Sequence, residues 1–300
     1  MNGTILVTGS SGLLGRAVCE RLAAAGHAVL GLDPSVDDGR QPWRTVRDDL
    51  SDERRLADLL VAERVAGIVH AGGVSGPMVL ADAPVEVIRT NVAGTLHLLF
   101  AALGTGVSRF LYCSSISAVG DFFADEPQPD DLPLRPTSAY GCSKAAVDFV
   151  LTGLWRRVPM DLVSLRYTGI YGPGRRTAFV VDDLVEAALA GREAILQPQS
   201  PWPYVYVDDA ADATVAALLS DRRRQLFYSI AHPEMVSVAD IAAAVEAHAG
   251  PVLWREDASR PPVRRGPLSI EAAARDFGFA PTVGIAEGVR RTVDARRARP

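Results

Sequence analysis

Thr4-Ile5-Leu6-Val7-Thr8-Gly9-Ser10-Ser11-Gly12-Leu13-Leu14-Gly15 decides the reading of this chain: an apolar strand runs into a glycine-rich turn that opens a helix over residues 13–25. Glycines between a strand and a helix let backbone N–H groups approach a pyrophosphate, and the helix N-terminus adds partial positive charge. Gly9, Ser11, Gly12, Leu13 and Gly15 are the candidate dinucleotide contacts of this turn. The next strand, residues 28–32, runs into Asp33, eighteen residues beyond Gly15. A carboxylate there accepts both ribose hydroxyls and repels a 2′-phosphate, which favours NAD over NADP. Arg40 and Arg44 lie downstream and would soften that preference. Asp49-Leu50, after a third strand, has two readings: contact with the adenine edge, or Asp49 capping the helix at Glu53.

Beyond this turn, strands at 67–70 and 110–113 alternate with helices at 53–63, 85–103 and 138–154. The alternation predicts a parallel sheet covered on both faces, a doubly wound α/β fold of Rossmann type. Val85, Ile88, Val92, Leu96, Leu99 and Leu103 recur at spacings of three and four, so that helix is expected to bury this stripe in the core or in a dimer contact. A further strand is expected over 161–170, after which Pro and Gly punctuate 171–174, 197–203 and 260–267. Helices follow near 180–190, 208–219, 238–249 and 285–297. Residues 1–168 read as a dinucleotide-binding domain and 169–300 as a smaller, loop-rich substrate lobe, with the helix at about 208–220 returning to the first. The arginines of the last helix, Arg290, Arg291, Arg296, Arg297 and Arg299, read as a solvated end that complements its dipole.

A chain of 300 residues, 48% hydrophobic and 22% charged, is neither disordered nor fibrous. A net charge of −5 with no basic block before the last residues argues against nucleic acid or an anionic membrane surface as partner, leaving a small molecule. No apolar run reaches the roughly 18 residues of a membrane span. Cys19, Cys113 and Cys142 fit neither a zinc spacing nor a disulfide framework, which points to a reducing compartment, the cytoplasm. The five histidines have no ligand spacing, so no metal is expected.

Of the 31 basic residues only Lys144 is lysine. A sequence so committed to arginine keeps lysine where a compact, tunable ammonium is needed. Tyr140 stands four residues earlier in a helical stretch, so the two side chains share a face. A phenol titrates near 10, and its use as a base near neutrality needs about 4 kcal/mol of preferential stabilisation of the phenolate. An adjacent ammonium contributes to that. Ser114 and Ser115 end the strand at 110–113, where open α/β sheets bind substrates, and a hydroxyl there can bond the substrate oxygen and share its proton with Tyr140.

In these residues the chain resembles the extended short-chain dehydrogenases/reductases, the NAD-dependent epimerase/dehydratase family, over essentially all of its length. Gly9, Gly12, Gly15, Asp33, Asp49-Leu50, His70-Ala71-Gly72-Gly73, Asn91-Val92-Ala93-Gly94-Thr95, Ser115, Tyr140 and Lys144 follow the family's order, with the family's interval of 25 from Ser115 to Tyr140. Tyr204-Val205-Tyr206-Val207-Asp208-Asp209-Ala210 resembles a signature of its C-terminal half. The resemblance implies that Tyr140 is the acid/base, Ser115 its partner on the substrate oxygen, and Lys144 the group that lowers the Tyr140 pKa and holds the nicotinamide ribose. It also implies cofactor contacts at His70, Ala71, Gly72 and Asn91, and a homodimer through the helices containing Asn91 and Tyr140. Asn91 is locally unfavourable in mid-helix, which fits a place beside the cofactor. His70 has a second reading as a packed or backbone-bonded imidazole.

The pattern also breaks. Ile116-Ser117 follow Ser115 where the family's 4,6-dehydratases carry Asp-Glu, which disfavours that elimination. Gly169 stands where nucleotide-sugar members carry Asn, and Trp202 where many carry Arg, so two donors to a diphosphate are gone. Arg175, Arg176, Arg260, Arg264 and Arg265 are possible replacements, each also readable as a solvated surface residue, with Arg175-Arg176 the strongest anion candidates. Candidate substrate contacts are Ser115, Ser117, Tyr140, Gly169, Arg175, Arg176 and Trp202. Three functions follow: an epimerase of a sugar or nucleotide sugar; a net NAD-dependent dehydrogenase or reductase of a free sugar, polyol or sugar acid; and a non-catalytic dinucleotide sensor.

Overall fold

A computed structural model describes residues 3–35 and 41–298; Arg40 and Arg299, named above, lie outside them. The first part of the chain forms β1 (Thr4–Thr8), α1 (Leu13–Ala24), β2 (Val29–Asp33), β3 (Arg44–Arg47), α2 (Glu53–Ala62) and β4 (Val65–His70). It continues through α3 (Pro84–Ile88), a π-helical turn (Arg89–Ala93), α4 (Gly94–Thr105), β5 (Arg109–Ser115), α5 (Ala139–Leu154) and β6 (Asp161–Tyr167). The remainder forms β7 (Ile170–Tyr171), α6 (Val180–Ala190), β8 (Glu193–Leu196), β9 (Val205–Tyr206) and α7 (Val207–Leu219), then β10 (Phe227–Ile230), α8 (Val238–Ala249), β11 (Leu253–Glu256), α9 (Glu271–Phe277) and α10 (Ile285–Arg297).

Seven parallel strands run in the order β10-β6-β5-β4-β1-β2-β3. Alternation along each strand sends side chains to opposite faces. In β1, Ile5 and Val7 pack with Ala17, Val18 and Leu22 of α1 and with Ala210 and Ala217 of α7. Leu6 points the other way, towards Leu56 and Leu60 of α2, Leu98 and Leu99 of α4, and Val147 and Leu151 of α5. Both faces are therefore covered, as expected of a doubly wound sheet. The helix at 207–219 does return to pack on α1 and the central strands. The C-terminal part also supplies the edge strand β10, paired to β6 from Phe227↔Ser164 to Ile230↔Tyr167, which the sequence did not suggest.

Three expectations need correction. The strand at 161–170 is two: β6 stops at Tyr167, the Thr168 hydroxyl donates to the Pro203 carbonyl at 2.6 Å, and β7 pairs with β9 in a separate two-stranded sheet. The break falls at Gly169, where a Cβ would collide with the Phe179 and Tyr204 rings. The stripe at 85–103 reaches the core only in its second half: Leu99 is fully buried, Leu96 and Leu103 are half-buried against it and Val92 is half-buried, while Val85 and Ile88 are exposed. The face that packs inward carries small or polar residues, Asn91, Gly94, Thr95, Ala101 and Ala102, with Val87 and Leu98. Finally, the helical run Pro84–Thr105 has the length and composition to cross a membrane. Here it lies on the sheet, with Leu98, Leu99, Ala101 and Ala102 buried in the core.

Candidate active site

The carboxyl ends of the central strands open into one cavity of about 1460 Å³, larger than the roughly 300–1,000 Å³ that takes a single drug-sized ligand. At one end lies the glycine turn. Gly9 has φ +67° and sits so close to Ala71 and Gly72 that a Cβ would meet their backbone at 2.8 Å. A Cβ at Gly15 would collide with the Gly9 carbonyl. Gly12 caps α1 without any side-chain hydrogen bond, which leaves the first N–H groups of the helix for an anion.

Asp33 ends β2 and lines the cavity, its two oxygens accepting from the Ser11 N–H at 3.0 Å and the Ser35 N–H at 2.8 Å. Ser11 is thereby committed to Asp33, its hydroxyl donating to the Ser35 carbonyl; it braces the turn and is not among the cavity-lining residues. Asp49 and Leu50 line the far end. The helix cap is Asp52, which accepts from the Arg55 N–H, whereas Asp49 binds Ser51, whose hydroxyl pulls its carboxyl below the usual range. Arg44 pairs with Glu63 and does not line the cavity. The cradle fits a dinucleotide with free ribose hydroxyls: an open helix N-terminus, glycines that admit its approach, and an acid at the ribose position.

Two residues expected at the cofactor lie behind the cavity wall. His70 is fully buried between the Thr8 hydroxyl, 2.6 Å from Nδ1, and the Thr95 hydroxyl, 2.8 Å from Nε2. Thr95 donates its own proton to the Asn91 carbonyl, so Nε2–H donates to Thr95 while Nδ1 accepts from Thr8, whose oxygen in turn accepts from the Gly72 N–H. Burial, aided by Lys144, pushes His70 down to about 3, so it is neutral. Asn91 sits in the π-helical turn, and its amide spans three elements. Oδ1 accepts from the Val74 N–H, and Nδ2 donates to the Val74 carbonyl and to Ser143 Oγ. Neither side chain reaches the cavity, because both are consumed in holding the Gly72–Val74 segment that does.

At the chemical end, Ser115 closes β5 and Tyr140 begins α5. The Ser138 hydroxyl caps that helix by accepting from the Gly141 N–H, and a Cβ at Gly141 would collide with the Ser117 carbonyl, so only glycine lets the helix start this close to the serines. Burial raises the Tyr140 phenol above its usual value; opposing it are, in order, a hydrogen bond with Ser115 and the positive charge of Arg175, and then the Gly76 backbone. Lys144 lies one helical turn on, its ammonium 5.8 Å from the Tyr140 ring centre and 4.7 Å from that of Tyr112, donating to the Cys113 carbonyl at 2.8 Å. Burial lowers it to about 8. The expected placement of Lys144 beside Tyr140 holds, but the cation that chiefly draws the free phenol down is Arg175.

Of the substrate candidates, Ser115, Ser117, Tyr140, Gly169, Arg175, Arg176 and Trp202 all line the cavity. Arg265 is not a solvated arginine: it is buried, paired with Asp121 and stacked 5.2 Å from the Trp202 ring centre. Asp121 and Arg265 are 144 residues apart, and nothing local in the sequence announces the contact. Arg260 also lines the cavity, while Arg264 lies outside it, exposed over Phe123.

Comparison with known proteins agrees with this geometry. The pattern of the NAD dependent epimerase/dehydratase family matches residues 5–231. A UDP-glucose 4-epimerase of Mycolicibacterium smegmatis is 30% identical over 96% of this chain and 97% of its own. A uronate dehydrogenase of Pseudomonas putida is 30% identical over 54% of this chain and 59% of its own. The crystal structure of Thermus thermophilus UDP-glucose 4-epimerase complexed with NAD superposes with a TM-score of 0.87 at 29% identity, covering 98% of this chain and 99% of that one.

Proposed function

Since the chain belongs to the NAD-dependent epimerase/dehydratase family, we propose that it is a sugar epimerase that inverts a secondary alcohol carbon, with a nucleotide sugar as substrate. The observation that carries this is the meeting of Ser115, Tyr140 and Lys144 in the same cavity as the uncapped glycine turn. Gly9, Gly12, Leu13 and Gly15 would hold the pyrophosphate of NAD, Asp33 the adenosine ribose, and Lys144 the nicotinamide ribose. Bound NAD supplies a reversible hydride acceptor. Ser115 orients the substrate hydroxyl, and Tyr140 removes its proton as the carbon is oxidised and returns it when the carbon is reduced from the opposite face. Ser115 and Arg175 oppose the burial that raises the Tyr140 phenol, and the charge of an oxidised nicotinamide ring would add to that opposition.

A second reading, net oxidation of a sugar acid, is favoured by Gly169 and Trp202, which present no amide or guanidinium to a diphosphate. The test is to incubate the purified protein with UDP-glucose or UDP-galactose and follow the sugar by NMR and NADH by absorbance. Interconversion without accumulating NADH supports the epimerase; steady NADH from a free sugar acid without an epimer supports the dehydrogenase. We also propose a homodimer through α4 and α5, supported by exposed Phe100 and Phe149, and a reducing, cytoplasmic setting, supported by three free thiols.

A further inference from the structure

We propose that Asp148, a carboxylate outside the cavity, is a positioning residue for the reaction: it keeps Lys144 an ammonium and fixes the strand end to which that ammonium is bonded. The role in the reaction rests on the hydride chemistry proposed above, whereas the linkage between the two side chains does not. Asp148 is fully buried on α5, one helical turn beyond Lys144, so the two side chains share a face. It does not line the cavity. Its Oδ2 accepts from Ser114 Oγ at 3.1 Å and from Arg166 Nε at 2.9 Å, and its Oδ1 from Ser164 Oγ at 2.8 Å. Every neighbour donates, as an ionised carboxylate requires. Ser114 stands between Ser115 and Cys113, whose carbonyl accepts from Lys144 Nζ at 2.8 Å. One carboxylate therefore fixes the strand segment that carries both the acceptor of the lysine and the serine of the site.

Arg166, the ion-pair partner of Asp148, is itself clamped. Nη1 donates to the Asp130 carbonyl at 2.8 Å, and the guanidinium lies 3.9 Å from the Phe227 ring centre. The Asp130 carboxylate in turn accepts from the Ser229 N–H and from Gln225 Nε2, both at 2.6 Å. Burial raises the Asp148 pKa, and the charge of Arg166 with the hydrogen bonds of Ser164, Arg166 and Ser114 pulls it back. Facing Lys144 are Tyr112 and Cys113 of β5, His70 of β4, and Tyr140 and Asp148 of α5. Burial draws the lysine down to about 8, opposed by Cys113 and Asp148. The Cys113 thiol, pushed up to about 12 by burial, is neutral where the lysine titrates, as are His70 and the two phenols that burial raises. That leaves Asp148 as the negative charge acting on Lys144. Without it the ammonium is lost nearer neutrality, and a neutral amine has one donor fewer for the nicotinamide ribose.

Because Lys144 is the only lysine, protein made with isotopically labelled lysine gives one side-chain NMR resonance, whose pH titration reads this ammonium directly. Its midpoint is expected to fall by about one pH unit or more in Asp148→Asn, and to stay within about half a unit of the parent in Asp148→Glu, which keeps the charge. Asp148→Asn leaves Arg166 buried without a partner, so a double variant, Asp148→Asn with Arg166→Gln, stands in where the single one does not fold; its midpoint should also fall. The pH above which NAD binding weakens, read by cofactor titration, should move down with the midpoint. A midpoint that holds or rises in whichever of these two variants folds, unfolding of both, a fall in Asp148→Glu as large as in Asp148→Asn, or NAD binding whose pH limb does not follow the midpoint overturns the proposal. A midpoint and an NAD limb that fall together in a protein yielding neither epimer nor NADH count against the proposed reaction and leave the linkage of Asp148 to Lys144 standing.

Discussion

Tyr140 is a phenol whose burial works against its own ionisation, and the groups that offset this are a hydroxyl and cations placed by different elements. Replacing it with Phe is expected to cut turnover by about 10²- to 10⁴-fold while NAD affinity stays within a few-fold, because the hydroxyl moves a proton and holds little of the cofactor; steady-state rates beside NAD titration check this. Lys144 carries the opposite cost. Its folded pKa of about 8 lies below the ordinary lysine value of 10.5, so the unfolded chain binds the extra proton between those values and stability rises with pH across that window. Lys144→Met should therefore be inactive yet more resistant to urea at pH 7, with its advantage shrinking from pH 8 to 10; urea midpoints at each pH read it directly. Tyr140 and Lys144 were legible because one lysine stands among thirty arginines. The facing of Arg175 towards Tyr140 was not, because it depends on where the chain turns after β6.

The π-helical turn is the element whose geometry matters most, because Asn91 uses it to tie the Val74 segment to α5. Asn91→Ala leaves the Val74 N–H without its acceptor, an expected loss of about 1–3 kcal/mol together with a raised KM for NAD, measurable by thermal unfolding and by cofactor titration. His70 links the start of α4, at Thr95, to β1. Its folded pKa of about 3 lies below the ordinary histidine value of 6.5, so its contribution to stability is full above 6.5 and is lost as pH falls towards 3. His70→Gln should flatten the acid limb of a Tm against pH curve relative to the parent chain. Strands and helices in this half were readable from apolar alternation, but the buried face of the 84–105 helix was not. That face packs on the sheet through small and polar residues as well as Leu98 and Leu99, while the apolar stripe that periodicity finds is exposed at its first turn, at Val85 and Ile88.

At the scale of the molecule, Val85 (66% exposed), Ile88 (41%) and Phe100 (44%) on one helical run and Phe149 (63%) on α5 leave an apolar surface on two helices of one layer. Light scattering of the parent chain should give twice the monomer mass, and a Phe100→Glu, Phe149→Glu double variant should give the monomer. Doubly wound topology was visible in the sequence. The seventh strand was not, since β10 is four residues long and follows the irregular region rather than a clear helix-strand repeat. Its position has an evolutionary consequence. The polypeptide leaves the central sheet after β6, builds much of the wall over the substrate, and comes back to complete the sheet's edge, so the two regions are laced together. Recombination cannot exchange this excursion by a single cut without also removing the sheet's edge strand; the exchange needs two crossovers, one on each side of the excursion.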